Sequence, residues 1–140
     1  MSFALKISLT ASGIYLLGGM LIGIIKYRKT MQSAEHRAPV YIDIAHRASF
    51  LYSFAALTIA KLLEQNDFSE VILLPATVLV LIFFSLTIIG YLTTGLKDET
   101  GNLFRQKNFL TTWFMYALIS AEIGGFTIIF IGFLTKIFNS

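Results

Sequence analysis

Four apolar runs, near residues 6 to 26, 43 to 63, 70 to 95 and 109 to 136, dominate this 140-residue chain. Each matches the roughly 20 helical residues needed to cross a hydrocarbon core, and with their connections they use up the sequence. Only 14% of the residues are charged and 56% are hydrophobic, whereas about a quarter are charged in an ordinary soluble domain. The pattern predicts an all-α integral membrane protein with a single four-helix transmembrane domain over residues 1–140. The first run follows Lys6, is too long for the apolar region of a signal peptide and leads into no small-residue cleavage site. It is expected to stay attached.

The basic residues set an orientation. Lys26, Arg28, Lys29, Arg37, Arg47, Lys97, Arg105 and Lys107 lie in or beside the first and third connections, and only Lys6, Lys61 and Lys136 fall near the opposite side. The excess of Lys and Arg on one side predicts cytoplasmic first and third connections and external termini. The net charge of +3 then reads as topology and contact with the anionic surface of a lipid bilayer, not as nucleic-acid binding. The absence of cysteine excludes disulfides, thiolate metal sites, iron–sulfur clusters and covalently attached c-type haem.

Chemistry is concentrated in the second run, DIAHRASFLYSFAALTIAK, which carries His46. Read as a helix, the stripe through His46 continues in Ser49, Ser53, Ala56 and Ala60. These small residues make a shallow groove. It suits either the close approach of another helix or a flat cofactor lying against the backbone, with the imidazole as axial ligand. His36, in the first connection with Glu35 and Arg37, reads as solvated.

Other features mark faces. Gly19 and Gly23 have the small-xxx-small spacing of close helix contacts, as do Ala117, Ala121 and Gly125 in the fourth run. Thr87, Tyr91 and Thr94 form a polar stripe at the cytoplasmic end of the third run. Antiparallel packing of the second and third helices would bring Tyr91 to the level of His46. Asp67 and Glu70 have the spacing of a capping box opening the third helix, and Pro75 is expected to bend it slightly. The third connection, LKDETGNLFRQKN, has a turn signal at Gly101-Asn102 and reads as a solvated loop.

Glu122 lies about 13 residues inside the fourth run, roughly 20 Å deep at the helical rise. Such an acid must face protein or water. The first expectation is a structural acid, protonated or hydrogen-bonded, within reach of Tyr15. The alternative is the proton or cation site of a small four-helix transporter.

The residue inventory supports no hydrolytic triad, because Glu122 lies too deep to serve His46. It holds no Glu-x-x-His pairs for a di-metal bundle, and one buried histidine is too few for zinc. A haem held by a single histidine does fit. It leaves the opposite face of the iron open to a small molecule.

The stretches ASGIYLLGGMLIGI, IDIAHRASFLYSF and IIGYLTTG resemble, in spacing and topology over nearly the whole chain, the membrane-bound styrene oxide isomerases. That resemblance implies a bacterial-type inner-membrane protein assembled as a homotrimer, with haem b between neighbouring subunits and His46 as its axial ligand. It implies conversion of a small hydrophobic aryl epoxide to a carbonyl compound, with Tyr91 positioning the epoxide. The family has an asparagine six residues after the ligand histidine. Here that position is Tyr52, which either donates a hydrogen bond to a ligand or fills the pocket. Arg47, Ala48 and Ser49 also depart from the family pattern. The expected site is thus His46, with Ser49 and Ser53 along the cofactor face and Tyr52 and Tyr91 as catalytic candidates. The main alternative is a non-enzymatic membrane haem module for electron transfer, sensing or haem carriage.

Overall fold

The computed structural model describes residues 1–98 and 101–139, so Glu99 and Thr100 of the third connection and the terminal Ser140 lie outside the described residues. Four long helices make up the chain: α1 (Phe3–Gln32), α2 (Val40–Glu64), α3 (Glu70–Lys97) and α4 (Met115–Phe138). A 3-10 turn at Leu103–Arg105 and a π-helical turn at Leu110–Phe114 lead into α4. No strand occurs among the described residues.

α1 and α2 overrun their apolar runs at both ends, and α4 begins later than its run, because local signals place the ends. Ser2 caps α1, its side chain accepting from the Leu5 N–H, which satisfies one of the free donors of the first turn. Pro39 precedes α2, where its missing N–H costs nothing, and Asp43 sits in the first turn, favourably placed against the helix dipole. Before α4, Asn108 and Thr111 cap each other: the Asn108 N–H donates to Thr111 Oγ1 at 2.9 Å and the Thr111 N–H to Asn108 Oδ1 at 3.0 Å. α3 continues through Pro75, which deprives only the Val71 carbonyl of its helical donor.

α1 and α2 form the most extensive interface, and α2 also packs on α3 and α4. The α1–α2 seam is antiparallel and built from small polar residues. Ser8 Oγ donates to the Ala56 carbonyl at 2.7 Å, Ser12 Oγ to the Ser53 carbonyl at 2.9 Å, and Ser53 Oγ to the Ser12 carbonyl at 2.9 Å. Gly19 meets the same seam: a Cβ there would lie 3.2 Å from the Cβ of Ser49. Across α3 and α4 the contact is closer still, since a Cβ on Gly125 would lie 2.6 Å from Val80 Cγ2 and 2.8 Å from the Ala76 carbonyl oxygen. Ala121 and Gly125 are buried in that contact, whereas Ala117 is exposed. The expected contact face of α4 therefore begins one turn later.

Three helical segments, Phe3–Gln32, Glu70–Lys97 and Leu110–Phe138, are long and apolar enough to cross a membrane. Their outward side chains are large and apolar, Ile14, Leu17 and Ile123 being each about 60% exposed, while serines and threonines are buried between helices. This arrangement suits lipid as the outer solvent and marks an integral membrane protein. α2, which carries Asp43, His46, Arg47 and Lys61, is not among these segments.

Two connections differ from expectation. Asp67 and Glu70 form no capping box. The Asp67 carboxylate pairs with Lys136 at 3.1 Å, and Glu70 Oε1 accepts from the Ala4 N–H at 2.9 Å, so it caps α1 instead of α3. Ser69 is the N-cap residue of α3, so Asp67 lies two residues too early for the box, and the Glu70 carboxylate meets a free amide of α1 instead. The third connection is not simply solvated, because the Leu103 N–H donates to the Tyr41 hydroxyl at 2.7 Å and pins the loop to the start of α2.

Candidate functional site

His46 lies in the second turn of α2 and points at α1. Its Nδ1 is 2.9 Å from the Gly19 carbonyl oxygen. A carbonyl oxygen can only accept, so Nδ1 carries the proton, and in the neutral ring Nε2 keeps its lone pair. Gly23 makes room for the ring: a Cβ there would lie 2.9 Å from Cε1 and 3.3 Å from Nδ1. Phe50 closes the other side with an edge-on contact, its centroid 5.0 Å from that of the imidazole.

One turn nearer the helix start, the Asp43 carboxylate is shared between Lys26 at 2.6 Å and Arg47 at 2.7 Å. That carboxylate is occupied by cations, and the partner of His46 is a neutral carbonyl. His46 is half-buried.

The groove that begins at His46 is filled by α1. Ser49 is fully buried and Ser53 is 3% exposed. The Ser49 hydroxyl donates to the Ala45 carbonyl at 2.9 Å, and that of Ser53 is spent on Ser12. Of the two uses open to a small-residue stripe, the structure takes the close approach of a helix. Ser49 and Ser53 consequently do not form a cofactor face, because the stripe is the α1–α2 seam.

Tyr91 and Tyr52 come together, but away from His46. Tyr91 stacks on Tyr41 at 5.9 Å, and Tyr52 stacks nearly parallel on Phe84 at 4.2 Å. Both tyrosines line a cavity of about 150 Å³, with Thr87 and Thr94 of α3 and with Leu103, Asn108 and Thr111 from the turns before α4. The polar stripe of α3 faces this cavity. Arg47, Ala48 and Leu51 join the same two tyrosines along a second groove. At about 100° per residue, Ala48 and Leu51 project from the side of α2 roughly opposite His46. The shared depth of His46 and Tyr91 thus does not put them in contact within one chain.

Tyr15 does not reach Glu122, as its hydroxyl is 2.8 Å from the Leu81 carbonyl and 2.9 Å from Ser85 Oγ. Glu122 Oε1 is buried without a hydrogen-bond partner. No group of three or more His, Cys, Asp or Glu side chains converges on a metal position among the described residues.

Sequence reasoning missed the Gly19 carbonyl as the partner of His46 and the loop from Leu103 to Thr111 as a cavity wall. The Gly19 and Gly23 spacing was the available signal for the first. The Asn108-x-x-Thr111 capping pattern was the signal for the second.

What the structure offers a metal-bearing group at His46 is a single nitrogen lone pair, at Nε2. The imidazole has its Nδ1–H anchored on a carbonyl, the usual arrangement for a metal-binding histidine, and the glycine notch that seats the ring leaves no room for a side chain. Compared with known proteins, the chain matches no family model, no curated protein and no solved structure.

Proposed function

We propose that this protein binds haem b through Nε2 of His46 and converts an aryl epoxide to a carbonyl compound within the membrane. The observation that carries the reading is the hydrogen bond from His46 Nδ1–H to the Gly19 carbonyl, which fixes the tautomer that leaves Nε2 free to coordinate. The resemblance to the styrene oxide isomerases supplies the reaction. In this reading all four helices span a bacterial-type inner membrane, with both termini outside and the first and third connections in the cytoplasm. The chains assemble as a homotrimer with haem between neighbours.

Ferric haem, when bound, supplies a Lewis acid for the epoxide oxygen. The chain supplies the rest. His46 holds the group, and the Gly19 carbonyl orients the imidazole. The apolar outer faces of α1 and α2 exclude water. A tyrosine hydroxyl donates to the oxygen on which charge develops, an interaction stronger in the transition state than in the substrate. Tyr91 is the first candidate for that donor and Tyr52 the second. Because one chain places both tyrosines across α2 from His46, pairing ligand and donor calls for a second copy.

Purified protein supplied with haem is expected to show a Soret band and to turn styrene oxide into phenylacetaldehyde. Tyr91→Phe should keep the band and lower turnover, on the order of 10²-fold if its hydroxyl stabilises the developing charge. Unchanged turnover would remove Tyr91 from the mechanism. A Soret band with no phenylacetaldehyde would favour the second reading, a non-enzymatic haem module. The separation of His46 from the two tyrosines speaks for that alternative.

The glycine notch gives an independent check. In Gly23→Ala the added methyl must displace the His46 ring, so haem affinity is expected to fall by about tenfold or more, the usual cost of disturbing the group that orients a metal ligand. Titration of apoprotein with haem reads this directly, and undiminished affinity would mean that the notch does not set the position of Nε2.

A further inference from the structure

The proposed reaction leaves Glu122 unused. Its Oε1 is buried and has no hydrogen-bond partner, and it borders a groove of about 430 Å³ formed by α2, α3 and α4. The walls are mainly apolar, including Ile59, Val80, Phe84 and Phe126, and no lysine or arginine lines them. Thr58, also in the wall, already donates its hydroxyl to the Phe54 carbonyl at 3.0 Å. The groove faces the lipid side of the bundle, where the neighbouring Ile123 is 64% exposed.

A carboxyl at this depth must carry a proton or meet a cation. A metal ion is a poor occupant, because one carboxylate among hydrocarbon and phenyl groups cannot replace six or more oxygen ligands. An organic cation needs fewer donors. It takes one negative charge and apolar surface for its hydrocarbon, and the groove offers both. A lipid headgroup is held at the interface, roughly 20 Å away along the helix.

We propose that the Glu122 groove binds a lipophilic organic ammonium ion, with the charge on the carboxylate and the hydrocarbon against Ile123 and Phe126. The site is separate from His46 and does not rest on the haem reading.

The test uses the full chain in phosphatidylglycerol vesicles, which bring no ammonium of their own. Dicyclohexylcarbodiimide labels membrane-embedded carboxyl groups in their protonated form, and mass spectrometry of peptides locates the label. Glu122 is expected to be labelled. Hexyltrimethylammonium, by displacing the proton, should cut that labelling at least tenfold, while tetramethylammonium, which lacks the hydrocarbon, should not. A quaternary ammonium has no lone pair to give to iron, so protection reports on the groove alone. The site in Glu122→Gln should take no label, and the protection result stands on the native chain whether or not that variant folds. Equal labelling with and without hexyltrimethylammonium would overturn the proposal. So would failure of Glu122 to be labelled at all, because a groove that admits a lipophilic cation also admits a carbodiimide.

Discussion

His46→Ala, purified in detergent from cells supplied with haem, is expected to lose the Soret band, whereas His36→Ala is expected to keep it. The chain has only two histidines, and the structure separates their circumstances. His36 lies exposed between α1 and α2 with a left-handed backbone, φ 51°, and its ring has no anchored nitrogen. His46 is held at Nδ1 by the Gly19 carbonyl, which leaves one nitrogen with a lone pair and a fixed orientation. Removing the ring also removes a bond between α1 and α2, so the helical circular dichroism of the variant must be shown to be native. Added imidazole should then restore part of the band by filling the vacated space. A Soret band that persists in His46→Ala would refute the ligand assignment and, with it, the proposed reaction.

Gly95→Ala should be among the most destabilising single-methyl changes in the chain. A Cβ at this position would lie 2.5 Å from the backbone nitrogen of Ile42 and 2.8 Å from the carbonyl carbon of Tyr41. Those atoms belong to the first turn of α2 and cannot swing aside as the tip of a side chain would, so α3 and α2 must separate. Overpacking of this kind costs about 1–3 kcal/mol, and the upper end is expected because backbone meets backbone. Separation would also disturb the Tyr41–Tyr91 stack and the bond from the Leu103 N–H to the Tyr41 hydroxyl, opening the cavity beside Tyr52. Gly124→Ala is the control. Nothing lies within 4 Å of a Cβ there, so the change should be neutral or stabilising by about 0.5–1 kcal/mol through helix propensity. Unfolding in mixed dodecylsulfate micelles, followed by circular dichroism, measures both. Equal stability of the two variants would mean that α2 and α3 do not approach as closely as Gly95 and Ile42 require.

Parts of the site were legible and parts were not, for reasons that differ by residue. His46 stood out because an imidazole in an apolar helix is costly without a partner, and a partner is what the structure provides. The small stripe from Ser49 to Ala60 was legible as a surface for close approach, but not as to what approaches. Serine and alanine admit a helix or a flat cofactor equally, and only the position of α1 decides between them. Tyr91 was placed at the depth of His46 by antiparallel packing. Depth is fixed by counting residues along a helix, whereas contact also depends on rotation about its axis.

Sequence by itself determined that the chain is helical and apolar enough for lipid, and it singled out His46 and Glu122 as costly side chains in such a chain. Hydrophobicity is a sum over residues, so it can be read without knowing where any of them goes. The tertiary structure decided which faces meet: Gly19 and Gly23 against His46, Gly95 against the start of α2, Glu70 on the first turn of α1 and Glu122 on a groove rather than on Tyr15. In a helix that is apolar all round, periodicity does not single out a buried face. Register and rotation are then set by close packing of small residues and by interhelical hydrogen bonds, and these exist only once the helices are together.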